Sequence, residues 1–348
     1  MAETPTSLTP LDSLGEFGLI RRLRAQVAPP HQASTISGIG DDAAVLRPTA
    51  GRIQVITTDL LLEGVHFDLT FCPLRHLGYK AVAVNVSDVA AMNARPTQLV
   101  VGLAVGARFT VEAVEELYAG MRLACEAYGV DLVGGDTTSS PSGHLLISVT
   151  ALGEAEEPHV TRRSGAQPND LICVTGDLGA AYLGLQVLTR EKQAFLADPE
   201  HRPDLEPYTY VVQRQLRPEA RMDVIHALAD LGVVPTAMLD ISDGLASEVL
   251  HLCENSTVGA AIYQDKLPLA DETLEVAEEF KLDPVTCALN GGEDYELLFT
   301  IPLAQHDQIR NHPDITVIGH VLPTGQGAYL MTPSGAAVKL QAQGWTAF

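Results

Sequence analysis

Apolar positions recur at helical spacing in several stretches of the chain. Over 14–27, Phe17, Ile20, Leu23 and Val27 fall on one face of a helix. The Ala/Val-rich stretch 77–92 predicts a buried helix whose apolar face carries Ala81, Val84, Asn85 and Asp88. Thr110 ahead of Val114, Leu117, Met121 and Cys125, with Gly129 behind them, marks both caps of a long amphipathic helix. Alternation of Ile53, Val55 and Thr57 predicts a strand over 52–58 that stops at Asp59, and further strands cover 98–105, 130–133 and 145–152.

In the second half, a strand over 170–175 leads through Gly176-Asp177-Leu178-Gly179 into a helix reaching Thr189. The charged, proline-bearing stretch 191–207 reads as a loop or small insertion. A helix follows Pro218 and stops at Gly232. A strand over 237–240, a helix carrying Leu245, Val249 and Leu252, and a strand over 295–301 complete the pattern. Strands and helices alternate without a regular Rossmann rhythm, so the expected class is α/β of the α+β kind, with helices layered on a sheet. The polar, breaker-bearing run 153–158 divides the chain into a leader (1–13), an N-terminal domain (14–153) and a C-terminal domain (154–348).

Composition narrows the function classes. At 348 residues, with 46% hydrophobic positions, the chain is long enough for about two folded cores. Lys and Arg number 22 against 44 Asp and Glu, a net charge of −22, although only 19% of residues are charged. Cations are scarce, so approach to a phosphate backbone or an anionic membrane begins with repulsion, which argues against nucleic-acid and membrane partners. No apolar run approaches the roughly 20 residues that span a bilayer. Cys72, Cys125, Cys173, Cys253 and Cys287 are scattered, without C-x-x-C, and 1–10 lacks the features of a signal peptide. Both observations point to reduced thiols in the cytoplasm.

The acidic residues concentrate beside Gly, Ser or Thr where apolar runs end. They occur in Gly38-Ile39-Gly40-Asp41-Asp42, Thr57-Thr58-Asp59, Asn85-Val86-Ser87-Asp88, Gly134-Gly135-Asp136, Asp240-Ile241-Ser242-Asp243-Gly244 and Gly291-Gly292-Glu293-Asp294. Any single Asp there is explained by a helix cap or a turn, and Asp243 before Gly244 fits that reading. Asp88 does not, because an unpaired carboxylate on an apolar helix face is costly. Acid–base catalysis needs two carboxylates, and six such loops would repel one another without cations. Oxygen ligands of Asp, Ser and Thr type suit Mg²⁺, which takes one or two carboxylates and completes its shell with water and phosphate. The pattern therefore reads as phosphate chemistry assisted by several metal ions. The chain has no P-loop, dinucleotide-binding glycine loop, zinc helix or nucleophile elbow.

These loops, with Leu14-Gly15-Glu16-Phe17, Glu63-Gly64-Val65-His66-Phe67, Tyr295 after Asp294 and a terminal Gly344-Trp345, resemble the thiamine-monophosphate kinase family in order along almost the whole chain. The family lies in the superfamily of aminoimidazole ribonucleotide synthetase, selenophosphate synthetase and a hydrogenase-maturation factor. The resemblance implies a two-domain α/β fold and a homodimer. It also implies direct, Mg²⁺-dependent transfer of the ATP γ-phosphoryl group to thiamine phosphate, without a phosphoenzyme. The N-terminal domain is expected to bind ATP and Mg²⁺ and to dimerise, and the C-terminal domain to complete the substrate site.

Carried over residue by residue, Asp42, Thr57, Thr58, Asp59, Asp88, Asp136, Asp240 and Asp243 look like metal ligands, and no catalytic residue beyond metal and phosphate ligands is implied. Tyr118, Gly135, Asp136, Arg163 and Ser242 look like ATP contacts, with adjacent Arg162 the alternative to Arg163. His66, Glu293 and Trp345 look like the thiamine-phosphate side. The alternatives are another ATP-dependent enzyme of the superfamily and a non-catalytic metal- or nucleotide-binding protein. A selenophosphate synthetase calls for a reactive residue near the N-terminus, whereas the first cysteine here is Cys72. The maturation factor calls for a C-terminal cysteine, whereas this chain ends Trp345-Thr346-Ala347-Phe348.

Overall fold

The computed structural model describes residues 8–40, 42–200 and 202–344, so Asp41 and Trp345, like most of the leader, lie outside the described residues. The chain runs α1 (Leu11–Arg24), β1 (Thr35–Ser37), β2 (Val45–Leu46), β3 (Ile53–Leu62), α2 (Leu74–Ala91), β4 (Arg95–Val105), α3 (Val111–Tyr128), β5 (Asp131–Ser139) and β6 (Leu146–Ala155). It continues β7 (Leu171–Thr175), α4 (Ala180–Ala197), α5 (Thr209–Leu216), α6 (Met222–Asp230), β8 (Ala237–Asp240), α7 (Leu245–Ser256), β9 (Gly259–Tyr263), α8 (Asp271–Phe280) and α9 (Pro284–Asn290). It closes with β10 (Leu297–Ile301), α10 (His306–Ile309), β11 (Ile315–Leu322), β12 (Ala328–Met331) and β13 (Ala337–Lys339). The architecture is mixed α/β, as the alternation predicts. Among the described residues no helix is long and apolar enough to cross a membrane.

Contacts group the chain into two compact units, one of residues up to Val89 with Pro96–Glu154, the other of Ala90–Arg95 with residues from Ala155 onward. The first holds a four-stranded sheet in the order β3-β6-β4-β5, in which β4 and β5 are parallel. On one face Leu99, Val101, Leu103, Ile147 and Val149 are buried. In α2, every residue from Leu77 to Val89 is buried except half-buried Asp88. A Cβ on Gly78 would come 1.9 Å from the Leu117 carbonyl oxygen, and one on Gly120 would come 1.9 Å from that of Arg75, so α2 and α3 cross backbone to backbone. Thr110 caps α3 by accepting from Ala113 N at 3.3 Å, and Gly129 ends the helix at φ 65°.

The second unit is built on a seven-stranded sheet, β13-β12-β9-β11-β7-β10-β8, antiparallel except for β12 against β9. Ile172, Val174, Leu239, Leu298 and Ile318 from its strands and Leu245, Val249 and Leu252 from α7 share one core.

Several boundaries differ from the sequence reading. Helix α1 begins at Leu11, inside the stretch read as leader, and Gly15 breaks it at φ 63°. Beyond that break Leu23 of the expected face is buried and Ile20 and Val27 are half-buried, but Leu19 is buried in place of Phe17, which is 70% exposed. Strand β3 runs past Asp59 to Leu62, and β5 runs past Asp136 to Ser139, so those acidic residues sit within strands. Helix α4 continues to Ala197, α5 stands where no helix was expected, and α6 starts four residues after Pro218.

Candidate active site

The first acidic group is built where α2 lies against β3. The two-residue period of the strand sends Thr57 and Asp59 toward α2 and Thr58 to the opposite face. Thr57 Oγ1 donates to Asp88 Oδ2. Asn85, fully buried, accepts from Asp59 N at 3.1 Å and donates to the Ala81 carbonyl at 2.9 Å. Burial, then the negative charge of Asp88, pushes the Asp59 carboxyl up to about 6. Thr58 donates to the Val149 carbonyl at 3.0 Å and accepts from Thr150 at 3.1 Å, so its side chain does not join this group.

Asp42 is exposed on the loop between β1 and β2, and Asp136 is exposed on β5. Beside it, a Cβ on Gly135 would come 2.1 Å from the Val101 carbonyl oxygen, so glycine there is required by the approach of β4. Tyr118 is only 6% exposed, and burial pushes its hydroxyl up to about 12. His66 lies in the turn after β3, where its Nδ1 accepts from Leu62 N at 3.1 Å. The same turn is anchored by Glu63, which accepts from Leu145 N at 2.8 Å and pairs with Arg108.

The second acidic group follows β8. Asp240 is 6% exposed at the strand end. Asp243 does not cap α7: the N-cap is Gly244, with no side-chain cap bond. Instead the Asp243 N–H donates to Glu248 Oε1 at 3.3 Å. Glu248 is 3% exposed, and burial, then the charge of Asp240, pushes its carboxyl up to about 8. Burial also raises Asp243, against the lowering effects of His251 and Arg163. The Arg163 charge reaches both Asp243 and Glu248, whereas Arg162 lends its carbonyl to Met238 N. Glu293 is stitched to this loop, its N–H donating to the Ser242 carbonyl at 2.7 Å, while Tyr295 N donates to that of Ile241 at 2.9 Å.

Glu248 escaped the sequence reading, although its signal is the one that singled out Asp88. It sits among Leu245, Val249 and Leu252 on a buried helical stripe, where a lone carboxylate needs a partner. Among the described residues, no three His, Cys, Asp or Glu side chains converge as a ready metal cage. The donor set nevertheless fits Mg²⁺: hard oxygens, two carboxylates whose repulsion a cation would relieve, and a metal that needs few protein ligands.

Family models place the chain in a class. Residues 40–155 match the N-terminal domain and 167–328 the C-terminal domain of AIR synthase related proteins. The thiamine-monophosphate kinase of Bacillus subtilis (strain 168) is 33% identical over 96% of this chain and 100% of its own length. That of Aquifex aeolicus (strain VF5) is 36% identical over 97% of this chain and 99% of its own. The solved structure of AaThiL complexed with AMPPCP and TMP superposes with a TM-score of 0.75 at 34% identity, covering 99% of this chain and 100% of that one. The chain belongs to the thiamine-monophosphate kinase family.

Proposed function

We propose that this chain transfers the γ-phosphoryl group of ATP directly to thiamine phosphate, giving thiamine diphosphate and ADP. The observation that carries the reading is the full-length similarity to AaThiL, which is complexed with AMPPCP and TMP. The two carboxylate groups described above support it.

The acceptor is a phosphate, already ionised at neutral pH, so no strong general base is required. What remains is to align two anions and to neutralise charge as it shifts. Several Mg²⁺ ions, held by Asp42, Thr57, Asp59, Asp88 and Asp136 of the first unit and by Asp240 and Asp243 of the second, would supply that neutralisation between phosphates. Thr58, its hydroxyl engaged on the other sheet face, enters the set only through a backbone atom. Arg163 is assigned to the nucleotide phosphates as a fixed cation, with Gly135, Asp136, Ser242 and the wall at Tyr118 as further ATP contacts. His66 and Glu293 are assigned to thiamine phosphate; Trp345 shares that role by family resemblance. The first unit thereby carries most of the assigned ATP and Mg²⁺ residues and His66, and the second carries Arg163, Asp240, Ser242, Asp243 and Glu293.

Homodimerisation is proposed through the sheet of the first unit. On the face away from α2, Ile56 and Leu60 are 66% and 52% exposed. A sheet face with exposed aliphatic side chains suits a second copy of the same surface. Cytoplasmic residence is proposed on the five cysteines, all free and buried.

Purified protein incubated with ATP, Mg²⁺ and thiamine phosphate is expected to form thiamine diphosphate, falling to background when a chelator removes the metal. No product with Mg²⁺ present sinks the kinase reading, and undiminished product with chelator removes the metal from it.

A further inference from the structure

The loop that carries Glu293 has a strained backbone. Glu293 and Tyr295 lie at φ 59° and 53°, a region that residues with side chains occupy only where their surroundings enforce it. One side of the loop is enforced by the bonds to the Ser242 and Ile241 carbonyls. The other side is enforced by α5, a helix that none of the recognised motifs includes.

Arg214 of α5 reaches Glu296 Oε1 with Nη1 at 2.9 Å, while its Nη2 donates to the carbonyls of Asp177 at 3.0 Å and Asp294 at 3.4 Å. Glu296 also pairs with Arg221 at 2.7 Å and accepts from the Thr175 hydroxyl. Both carboxylate oxygens of Asp294 accept from Gly179 N, at 3.0 and 2.9 Å. The loop is thus pinned just after Glu293, at Asp294 and Glu296, by a buried polar network whose members hold one another in place. The residue after Arg214, Gln215, is 5% exposed, and its Nε2 donates to Glu293 Oε2 at 2.6 Å. Of the three carboxylates in this loop, Asp294 and Glu296 are 1% and 0% exposed, and Glu293 alone is partly exposed.

We propose that Gln215 is a positioning residue for the acceptor substrate: it sets the orientation of the Glu293 carboxylate that receives thiamine phosphate, on a loop clamped by Arg214. This rests on the proposed assignment of Glu293 to the acceptor. Gln215 acts through Glu293, so its loss should weaken acceptor binding and leave the nucleotide alone.

The test is a kinetic double-mutant cycle on the full-length protein with Gln215→Leu, Glu293→Gln and the double variant. Gln215→Leu is expected to raise KM for thiamine phosphate about tenfold while KM for ATP moves by less than about twofold. The double variant should be no worse than Glu293→Gln alone, because the two residues serve one contact. Gln215→His, which keeps an N–H donor at the same place, should recover part of the lost affinity. Equal rises in both KM values, or additive effects in the cycle, would make Gln215 a structural residue and overturn the inference. An inactive wild-type chain is a failure of the kinase reading, seen before any variant is compared. An active wild-type with an unchanged acceptor KM in Glu293→Gln removes the Glu293 assignment and the inference with it.

Discussion

Asp59 and Asp88 are two carboxylates that the fold forces together at a cost. Thr57 donates to Asp88 and Asn85 accepts from the Asp59 backbone N–H, while burial and the charge of Asp88 push the Asp59 carboxyl up. Such a pair is explained by a ligand that carries the opposite charge. Asp88→Asn should therefore lower kinase activity by at least about a hundredfold, about 2.7 kcal/mol of transition-state stabilisation. Asparagine still accepts from Thr57 and removes a repulsion, so the melting temperature of the metal-free protein should hold or rise. Activity assays paired with thermal denaturation check both, and full activity would return Asp88 to a structural role. Asp88 is legible in the sequence because its helical phase is wrong for a surface Asp. Glu248 obeys the same logic on the stripe of Leu245, Val249 and Leu252 that the sequence already marks, and only its burial at 3% exposure singles it out in the structure.

At the scale of elements, β3 and β5 decide what the motifs can do. A sequence rule ends a strand at Asp, since Asp is disfavoured in sheets. Here pairing with β6 carries β3 onward and α2 accepts its inward side chains, so Thr57-Thr58-Asp59 becomes three alternating positions with Thr58 turned away. The paired glycines of β5 also part company. A Cβ at 134 would meet Val100 Cγ1 at 3.5 Å, ordinary contact, whereas one at 135 meets a carbonyl oxygen at 2.1 Å. Gly135→Ala should cost about 1–3 kcal/mol in denaturant unfolding because two strands must move apart, while Gly134→Ala should cost little. Equal effects at the two positions would show that close approach of β4 does not select the glycine.

The whole molecule carries a formal charge of −22, but part of its acidity sits on Asp59 and Glu248, whose carboxyls burial pushes up to about 6 and about 8, so they carry less charge at neutral pH than the count implies. The acidity repels bare polyanions yet suits a phosphate that arrives with divalent cations. The sheet of the first unit leaves its other face open, with Ile56 and Leu60 outermost. The double change Ile56→Asp with Leu60→Asp should convert a wild-type dimer to monomer in light scattering; a wild-type chain that is already monomeric would refute the proposed dimer.

Local pattern alone determined both caps of α3, the burial of α2 and the places where acidic residues gather beside glycine. Those features depend on residues a few positions apart, where periodicity, capping and turn preference act. Only the tertiary structure decided which acidic residue meets which: Thr57 and Asp59 with Asp88, Asp243 with Glu248, Glu293 with Gln215 across 78 positions. It also decided that Phe17 faces outward and that α5, unseen in the pattern, braces the loop of Glu293. Burial and long-range pairing are settled by how elements pack, and no spacing along the chain encodes them.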